Sequence, residues 1–507
     1  MSLNATPSQP QDRLEQDLVP KSYAEAAEKP ADAGQKKSKG SKKKKKQVNG
    51  DQKEASIPRP LTDPPVPEPP VSEKSYADAA VEPPKEPQTN GVSNGANDQE
   101  ISEKQNGSKD GASKTENEKK IIYERLEGPH GVRLTSVKPD DEFEKEHRLD
   151  RQKSELTSGR EAGKGWERSS IRWAPLNVPL QRRLQTLAVL LHTLSIAGIL
   201  TIFFFLCSIP FLWPILFPYT IYVLLSNAGQ SGTLAYRKEW LRRLPLWSLY
   251  ASYFPARLHR TQELPATRKY IFGYHPHGII SHGAFAAFAT EALGFSQLFP
   301  GITNTLLTLD SNFRIPLYRD YALRLGLGSV SRESCENLLS KGGPNNEGMG
   351  RAITIVIGGA RESLDAEPGR LRLVLARRKG FVKMAIRTGA DLVPVLCFGE
   401  NELYEQVNAQ EHPRVHRAQL LVKKLMGFTV PLFHARGVFN YDVGMMPYRR
   451  PLNIVVGRPV QVVQNAKPDQ AYVDEVHAQY VRELQRIWDE WKDTFAKNRR
   501  GELEIVE

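Results

Sequence analysis

The chain has 507 residues, a net charge of +12 at neutral pH and three cysteines, Cys207, Cys335 and Cys397. This length allows two to four domains, and the basic charge favours acidic partners such as anionic lipid headgroups or a phosphorylated substrate. Because the cysteines are far apart and show no paired spacing, the composition argues against a disulfide framework and for a reducing, cytosol-facing environment. The N-terminus lacks the apolar core of a cleavable secretory signal.

The first part of the chain, residues 1–164, is polar and rich in Pro, Glu, Lys, Ser, Asn and Gly. This composition predicts a disordered tail, because it offers too little apolar surface to offset the entropy of ordering. Residues 36–46 form a lysine-rich run that is either a solvated charge run or an attachment to anionic lipid. The pattern at residues 21–27 recurs at residues 74–80, which indicates either a docking motif for a partner or shared low complexity.

An almost continuously apolar stretch follows at residues 186–225, without any Asp, Glu, Lys or Arg. About 20 apolar residues span a bilayer as a helix, so this stretch is about two crossings long. Pro210, Pro214 and Pro218 lie where a hairpin would bend, and basic residues flank both sides, which places both flanks in the cytosol. We expect residues 165–250 to form a transmembrane or re-entrant hairpin with its interfacial flanks. One long tilted helix plus an interfacial segment is the alternative.

The remainder, residues 251–507, alternates short apolar runs with helical patterns. Such alternation predicts an α/β domain with a largely parallel sheet, in which ligands bind beyond the carboxyl ends of the strands. Residues 416–433 are amphipathic and form either a surface helix or a membrane-lying element. The predicted strands cover residues 270–274, 304–309, 352–357, 371–375, 391–398 and 452–456, and the predicted helices cover residues 317–325, 333–341, 380–388 and 472–497.

A polar turn, His275-Pro276-His277-Gly278, directly follows the predicted strand at residues 270–274. Pro276 and Gly278 favour a sharp turn, and Ser281 is a candidate N-cap for the next helix. A neutral imidazole in this position can take a proton from a hydroxyl group. The same residues also fit two structural histidines, or a zinc site with nearby His282, although no further ligands are evident.

A second polar turn, residues 358–363, follows the predicted strand at residues 352–357. Because both turns follow strands of a parallel sheet, we expect them to line one cleft. Backbone N–H groups near Gly278, or near Gly358 and Gly359, are candidates for supporting an oxyanion.

Residues 173–507 resemble the type-2 diacylglycerol acyltransferase family, which includes monoacylglycerol and wax-ester acyltransferases. The resemblance depends on an ordered set of blocks rather than on any single one. These blocks are the apolar hairpin, Tyr253-Phe254-Pro255, the turn at residues 275–278, residues 290–292 and 299–301, the turn at residues 358–363, Arg378-Lys379-Gly380-Phe381, residues 392–395 and residues 398–401.

The resemblance implies a membrane O-acyltransferase that moves a fatty acyl group from acyl-CoA to diacylglycerol and forms triacylglycerol for lipid storage. It implies an endoplasmic reticulum membrane location with both termini cytosolic, and lipid droplets as a further location. Acyl-CoA, diacylglycerol and membrane lipid are the expected partners; no cofactor, metal or nucleic acid is expected. Monoacylglycerol or a long-chain alcohol as acceptor, and a non-catalytic lipid-binding scaffold, remain alternatives, and a homo-oligomer stays open.

The resemblance also implies roles for individual residues. His275 is the expected base, with His277 sharing or supporting that role beside Gly278. The wider glycerolipid acyltransferase superfamily carries an Asp five residues after its His, where this chain has Ile280 or His282, so Glu291 is the expected substitute. The residues expected to bind substrate are Tyr253, Phe254, Pro255, Gly358, Gly359, Arg361, Glu362, Arg378, Lys379, Gly380 and Glu400.

Overall fold

The computed structural model describes residues 122–128, 131–138, 171–407, 412–426 and 431–506, with the side chains of residues 423–426 left out. The lysine-rich run, the repeated motif and most of the predicted tail therefore lie outside the described residues. The predicted domain boundaries at residues 164 and 250 stay predictions.

The helices of the described part follow the apolar periodicity of the sequence. Their bounds are α1 Leu180–Thr193, α2 Ser195–Cys207, α3 Trp213–Leu225, α4 Glu239–Arg242, α5 Pro245–Tyr253, α6 His282–Ala284, α7 Phe295–Leu298, α8 Tyr318–Arg324, α9 Arg332–Ser340, α10 Gly359–Glu362, α11 Gly380–Thr388, α12 Pro413–Met426 and α13 Gln470–Phe495. A π-helical turn, Phe285–Ala289, extends α6.

The strands form one large sheet and two short ribbons. Their bounds are β1 Tyr123–Glu127, β2 Arg133–Val137, β3 Arg257–Arg260, β4 Lys269–His275, β5 Thr303–Thr308, β6 Gly328–Ser329, β7 Arg351–Val356, β8 Leu371–Val374, β9 Ala390–Phe398, β10 Glu405–Gln406, β11 Phe433–His434, β12 Asn453–Val456 and β13 Leu503–Val506. The nine-stranded sheet has the order β1-β2-β3-β12-β9-β4-β7-β5-β6. Strands β8 and β13 pair with each other, as do β10 and β11.

The centre of the large sheet is parallel, as the sequence predicts. Strands β9, β4, β7, β5 and β6 are joined by parallel pairings, whereas β12 runs antiparallel to β9. All nine residues of β9 are buried. Such continuously apolar strands arise because helices cover both faces of the sheet. The predicted strand at residues 371–375 also forms, but it pairs in a separate ribbon with the C-terminal strand.

The N-terminal tail is not wholly unstructured, which corrects the prediction for residues 122–138. Strands β1 and β2 form a hairpin that pairs antiparallel with β3 and so extends the large sheet. Leu134 is fully buried in the core beneath it. Gly128 lies against Trp491, where a Cβ atom would come within 2.5 Å of the indole ring. Two short strands in a polar context carry too weak an alternation to be recognised from composition.

The apolar segment is broken into short helices. The axes of α1 and α2 meet at 66° at Leu194, and the stretch Pro210–Gln230 is long and apolar enough to cross a membrane. The break between α1 and α2 contains no proline, whereas the break between α2 and α3 contains Pro210.

We predict that Leu134→Ala lowers the free energy of unfolding by about 2–5 kcal/mol, because it opens a cavity between the added hairpin and the core. The apparent melting temperature of the detergent-solubilised full-length protein would measure this loss. Leu126→Ala, in the paired strand where the side chain is 36% exposed, is the matched control and should cost much less. Equal, small effects of both substitutions would contradict the proposed packing.

Candidate active site

Three neighbouring parallel strands end at the same edge of the sheet and carry the polar residues of the candidate site. Strand β4 leads into the turn at residues 275–278, β7 leads into the turn at residues 358–363, and β9 leads to Glu400. Because β9, β4 and β7 lie side by side, their turns meet at this edge. The two turns are in direct contact through a hydrogen bond from the His277 N–H to Glu362 Oε1 at 2.6 Å, and that they line one cleft stays a prediction.

The His277 ring has one protonated and one free nitrogen. Its Nδ1 lies 3.1 Å from the carbonyl oxygen of Gly278. A carbonyl only accepts hydrogen bonds, so Nδ1 carries the proton and Nε2 keeps its lone pair. Within the described residues Nε2 makes no hydrogen bond, and the half-buried ring leaves it accessible. Burial and, more weakly, the charge of Arg378 lower the pKa of His277, against the effect of the Gly278 carbonyl.

His275 has a different environment, because its side chain is fully buried. Its Nε2 lies 2.9 Å from the hydroxyl oxygen of Tyr480, and that hydroxyl donates to the carbonyl of Gly273 at 3.0 Å. The single tyrosine proton is thus used, and His275 Nε2 is the donor of its pair. Burial, with the charges of Arg378 and His477, lowers the pKa of His275 to about 3. His275 therefore ties β4 to helix α13 and offers no exposed nitrogen to a substrate.

Glu362 holds the turn at residues 275–278 from the side of β7. Its carboxylate is 2% exposed, and besides the His277 N–H it accepts the N–H of Val374 at 2.8 Å. Burial raises the pKa of Glu362 to about 7, although the two N–H groups and Arg378 act in the opposite direction. A Cβ atom at Gly358 would come within 2.2 Å of this carboxylate, so a larger residue there would push Glu362 away from the turn.

Glu400 holds the same turn from the side of β9. It accepts hydrogen bonds from the backbone N–H groups of His282 and Gly283 at 2.7 and 2.9 Å, and from the Tyr274 hydroxyl at 2.8 Å. Burial raises the pKa of Glu400 to about 7, and these three donors oppose the rise. A Cβ atom at Gly278 would lie 2.6 Å from Glu400 Cγ, and Gly278 also has a positive φ of 58°. The turn and Glu400 are therefore matched to each other.

His282 is a structural member of this network. Its Nδ1 and Nε2 each lie 2.7 Å from a tyrosine hydroxyl, those of Tyr250 and Tyr404. Among the residues described, no group of three or more His, Cys, Asp or Glu side chains could hold a metal ion. Ser281 does precede α6, as predicted, but its hydroxyl donates back to the His277 carbonyl at 2.8 Å instead of capping the helix.

Comparison with known proteins identifies the family of the chain. A family model described as diacylglycerol acyltransferase matches residues 204–506. The chain is 52% identical over 342 residues to "Diacylglycerol O-acyltransferase 2A" of Umbelopsis ramanniana, covering 67% of this chain and 94% of that relative. The chain belongs to the diacylglycerol acyltransferase family.

Two further relatives show the range of names within this family. "Diacylglycerol O-acyltransferase 1" of Schizosaccharomyces pombe is 45% identical over 322 residues, which cover 64% of this chain and 91% of that protein. "2-acylglycerol O-acyltransferase 1" of Bos taurus is 44% identical over 331 residues, which cover 64% of this chain and 96% of that protein. No solved structure matches the chain. The hairpin β1–β2 lies outside the segment that the family model matches.

Glu291 does not orient either histidine of this diacylglycerol acyltransferase family member, which corrects the expectation from the sequence. Its carboxylate pairs with Arg242 Nη2 at 3.2 Å and accepts the Ser296 N–H at 3.1 Å. Arg242, 1% exposed, donates in turn to the carbonyls of Ala289 and Leu325. Glu291 neutralises a buried arginine that joins α4 to the end of the π-helical turn. The carboxylates next to the turn at residues 275–278 are those of Glu362 and Glu400.

The Tyr253-Phe254-Pro255 block is part of the core and not of an open binding surface. Tyr253 and Phe254 are fully buried. The Tyr253 hydroxyl donates to the Pro447 carbonyl at 2.6 Å, and the Phe254 ring packs 4.9 Å from the His282 ring. The block thus packs against His282, which follows the turn at residues 275–278.

The basic residues predicted to bind substrate are dispersed. Arg378 is 2% exposed, and its charge acts on His275, His277 and Glu362. Lys379 pairs with Asp474 at 2.8 Å on α13, and Gly380 begins α11. Arg361 Nη1 lies 3.1 Å from His416 Nε2 on α12. Arg378 is a buried electrostatic partner of the turn, whereas Arg361 and Lys379 reach the surface.

Sequence reasoning missed the tyrosines that complete the site. Tyr274 and Tyr480 are buried and bind Glu400 and His275 respectively. Tyr274 lies at the end of a predicted strand, directly before the turn, and this position alone could have marked it as a neighbour of the site. Tyr480 lies 205 residues from His275, and only the placement of α13 beneath the sheet brings them together.

We predict that Glu362→Ala reduces acyl transfer about 100-fold, because loss of the hydrogen bond to the His277 N–H lets the turn shift. The measurement is turnover in isolated membranes, normalised to the amount of full-length protein. Glu367→Ala, on the following loop and paired with Arg370, is the control and should retain wild-type turnover. Unchanged turnover in Glu362→Ala would show that the turn needs no support from this carboxylate.

Proposed function

We propose that this protein transfers a fatty acyl group from acyl-CoA to the free hydroxyl of diacylglycerol, with triacylglycerol and CoA as products. The observation that carries the proposal is the tautomer of His277, whose Nδ1 donates to the Gly278 carbonyl and whose Nε2 lone pair is accessible. The support for the reaction class is membership of the diacylglycerol acyltransferase family. Of the two histidines in the turn, His277 is thus the base, and His275 is a buried residue that supports the structure.

The reaction proceeds by direct transfer between the two substrates. His277 Nε2 takes the proton from the acceptor hydroxyl while the oxygen attacks the thioester carbonyl carbon. The C–S bond then breaks, the acyl group remains on the acceptor oxygen, and the CoA sulfur takes the proton from the imidazolium. No covalent acyl-enzyme is needed, since burial raises the pKa of the Cys335 and Cys397 thiols and keeps them protonated.

Backbone donors next to His277 are suited to stabilise the oxyanion. The N–H groups of Gly278, Ile279 and Ile280 make no hydrogen bond within the described residues. They follow His277 directly in a turn whose shape is held by Glu362 and Glu400. Donors fixed in advance in this way stabilise charge that develops on the thioester oxygen. Arg361 and Lys379 are the surface cations available to the CoA phosphates.

The apolar segment keeps the site at the membrane. Helix α2 has 13 residues and is therefore about 20 Å long, whereas the stretch Pro210–Gln230 that contains α3 has 21 residues, enough for the roughly 30 Å hydrocarbon core. A hairpin in which α2 and α3 enter and leave the bilayer from the same side keeps both flanks cytosolic. The endoplasmic reticulum, where diacylglycerol is made available to cytosolic acyl-CoA, and the lipid droplet are the proposed locations.

A different acceptor is the second candidate, because one relative is named a 2-acylglycerol O-acyltransferase at 44% identity. Membranes from cells unable to make triacylglycerol, containing the full chain, would be given labelled acyl-CoA with diacylglycerol, 2-acylglycerol or a long-chain alcohol. Label in triacylglycerol is expected. Label only in diacylglycerol or wax ester would change the acceptor, and no product from folded, membrane-bound protein would favour the non-catalytic scaffold.

We predict that His277→Ala reduces turnover about 10²- to 10⁴-fold, as expected for the loss of a general base. His275→Ala should instead lower the melting temperature, because it leaves a cavity and removes the hydrogen bond that His275 Nε2 donates to the Tyr480 hydroxyl. Turnover per folded molecule and thermal stability are measured on both variants, with His412→Ala, at an exposed position, as control. A His275→Ala protein of normal stability without turnover would reverse the assignment.

The pH dependence of turnover tests the same residue. Because the pKa of His277 lies below the ordinary imidazole value of 6.5, the ring stays neutral, and active as a base, at pH values where a free histidine is protonated. Activity should therefore fall on the acid side with a midpoint below 6.5. Re-assay at neutral pH after each acid exposure separates titration from denaturation. A reversible midpoint above 6.5 would contradict a desolvated base.

A further inference from the structure

An exposed apolar surface lies at the start of α1, outside the candidate span Pro210–Gln230 and next to the bent helix pair α1–α2. It consists of Trp173, Leu176, Leu180, Phe439 and Met445, whose exposed fractions are 69%, 94%, 71%, 74% and 68%. We call these five residues the apolar foot. A group of large apolar side chains with this much exposure marks a surface that binds another protein or a membrane.

The apolar foot is one structural unit, although its residues come from two distant parts of the chain. Trp173 and Asn440 form an antiparallel bridge, and the Ala174 N–H donates to the Phe439 carbonyl at 2.8 Å. Next to them, Arg172 binds Asp442 through its backbone N–H at 2.8 Å and through its guanidinium. These contacts fix the loop that carries Phe439 and Met445 against the segment that precedes α1.

The apolar foot continues into the exposed face of α1. Leu184, Leu187 and Leu191 are 39%, 46% and 53% exposed, and they follow Leu180 at helical spacing along one stripe. The opposite face of α1 is buried through Gln185, Ala188 and Val189. Such a helix, with an apolar outer stripe and arginines at residues 182 and 183 in its first turn, has the pattern of a helix lying in the plane of a membrane interface.

We propose that the apolar foot inserts into the interfacial region of the lipid bilayer, so that the domain contacts the membrane through this surface as well as through α2 and α3. The bilayer is favoured over a protein partner because the foot is continuous with α1, which leads directly into the apolar segment. Trp at an interface and arginines beside it match the chemistry of a headgroup region. The inference does not depend on acyl transfer.

Buried contacts join the segment that follows the loop of the foot to α1 and to the segment after β9. The Tyr448 N–H donates to the carbonyl of Leu403, which follows Glu400. Arg449 stacks 4.1 Å over the Tyr253 ring and donates to the Arg182 carbonyl on α1 at 3.0 Å. The foot is therefore anchored to the domain and does not hang from it as a loose loop.

The test places an environment-sensitive fluorophore on single cysteines in the full-length protein, reconstituted in phosphatidylcholine–phosphatidylserine vesicles. The labelled positions replace Leu176, Phe439 or Met445, in a background with Cys207→Ser, because Cys335 and Cys397 are buried. The control label replaces Val463, which is also 74% exposed but follows the Val460 bridge to Leu392 at the opposite end of β9.

The expected result is blue-shifted emission at the three positions of the foot, quenched by nitroxide lipids that carry the label near the headgroup, with no such quenching at residue 463. Two results would overturn the proposal. One is water-like emission at the foot, quenched by aqueous iodide as strongly as at residue 463. The other is blue-shifted emission that lipid nitroxides do not quench, which would assign the surface to a protein partner or a second copy of this chain. Both readouts are independent of turnover, so they separate this inference from the proposed function.

Discussion

Two buried carboxylates hold the turn on which the site depends. Glu362 and Glu400 lie on either side of it and accept backbone N–H groups from residues 277, 282 and 283. A buried carboxylate is costly unless it is hydrogen-bonded, and an unpaired N–H in the same place is costly too. Each group therefore needs the other, and the turn is fixed before any substrate arrives. The neighbouring positions 278 and 358 carry glycine, and the side chains of Glu400 and Glu362 occupy the space that a larger residue there would fill.

This arrangement gives two adjacent histidines separate environments. His275 still belongs to the strand and is enclosed by the sheet and α13, whereas His277 lies beyond the strand end and keeps one nitrogen accessible. Desolvation keeps both rings neutral, but only one can meet a hydroxyl group. The low polarity that favours a neutral base also strengthens the field of the nearby backbone dipoles. The same enclosure thus lowers the pKa of both rings and strengthens the backbone dipoles around them.

The sequence predicts the central sheet and the two turns well, because continuous apolar runs and glycine-rich breaks are local signals. It predicts the partners of the histidines poorly. Glu291 lies near His277 in the chain, but its charge balances that of the buried Arg242. Glu362, Glu400 and Tyr480 reach the turn only through strand order and the position of α13, which no local pattern encodes. The hairpin β1–β2 was missed because its charged, short strands resemble the polar tail around them.

That hairpin changes which strand ends the sheet. Without it, β3 would present an open row of backbone donors and acceptors, an edge on which another chain can add a strand. With it, the edge is β1, whose residues Glu124, Arg125 and Glu127 carry charge that disfavours edge-to-edge pairing. A shortened protein that begins at the apolar segment would keep the turn at residues 275–278. Its exposed β3 edge would, however, give it a tendency to self-associate. The boundary chosen for expression therefore decides solubility as much as activity.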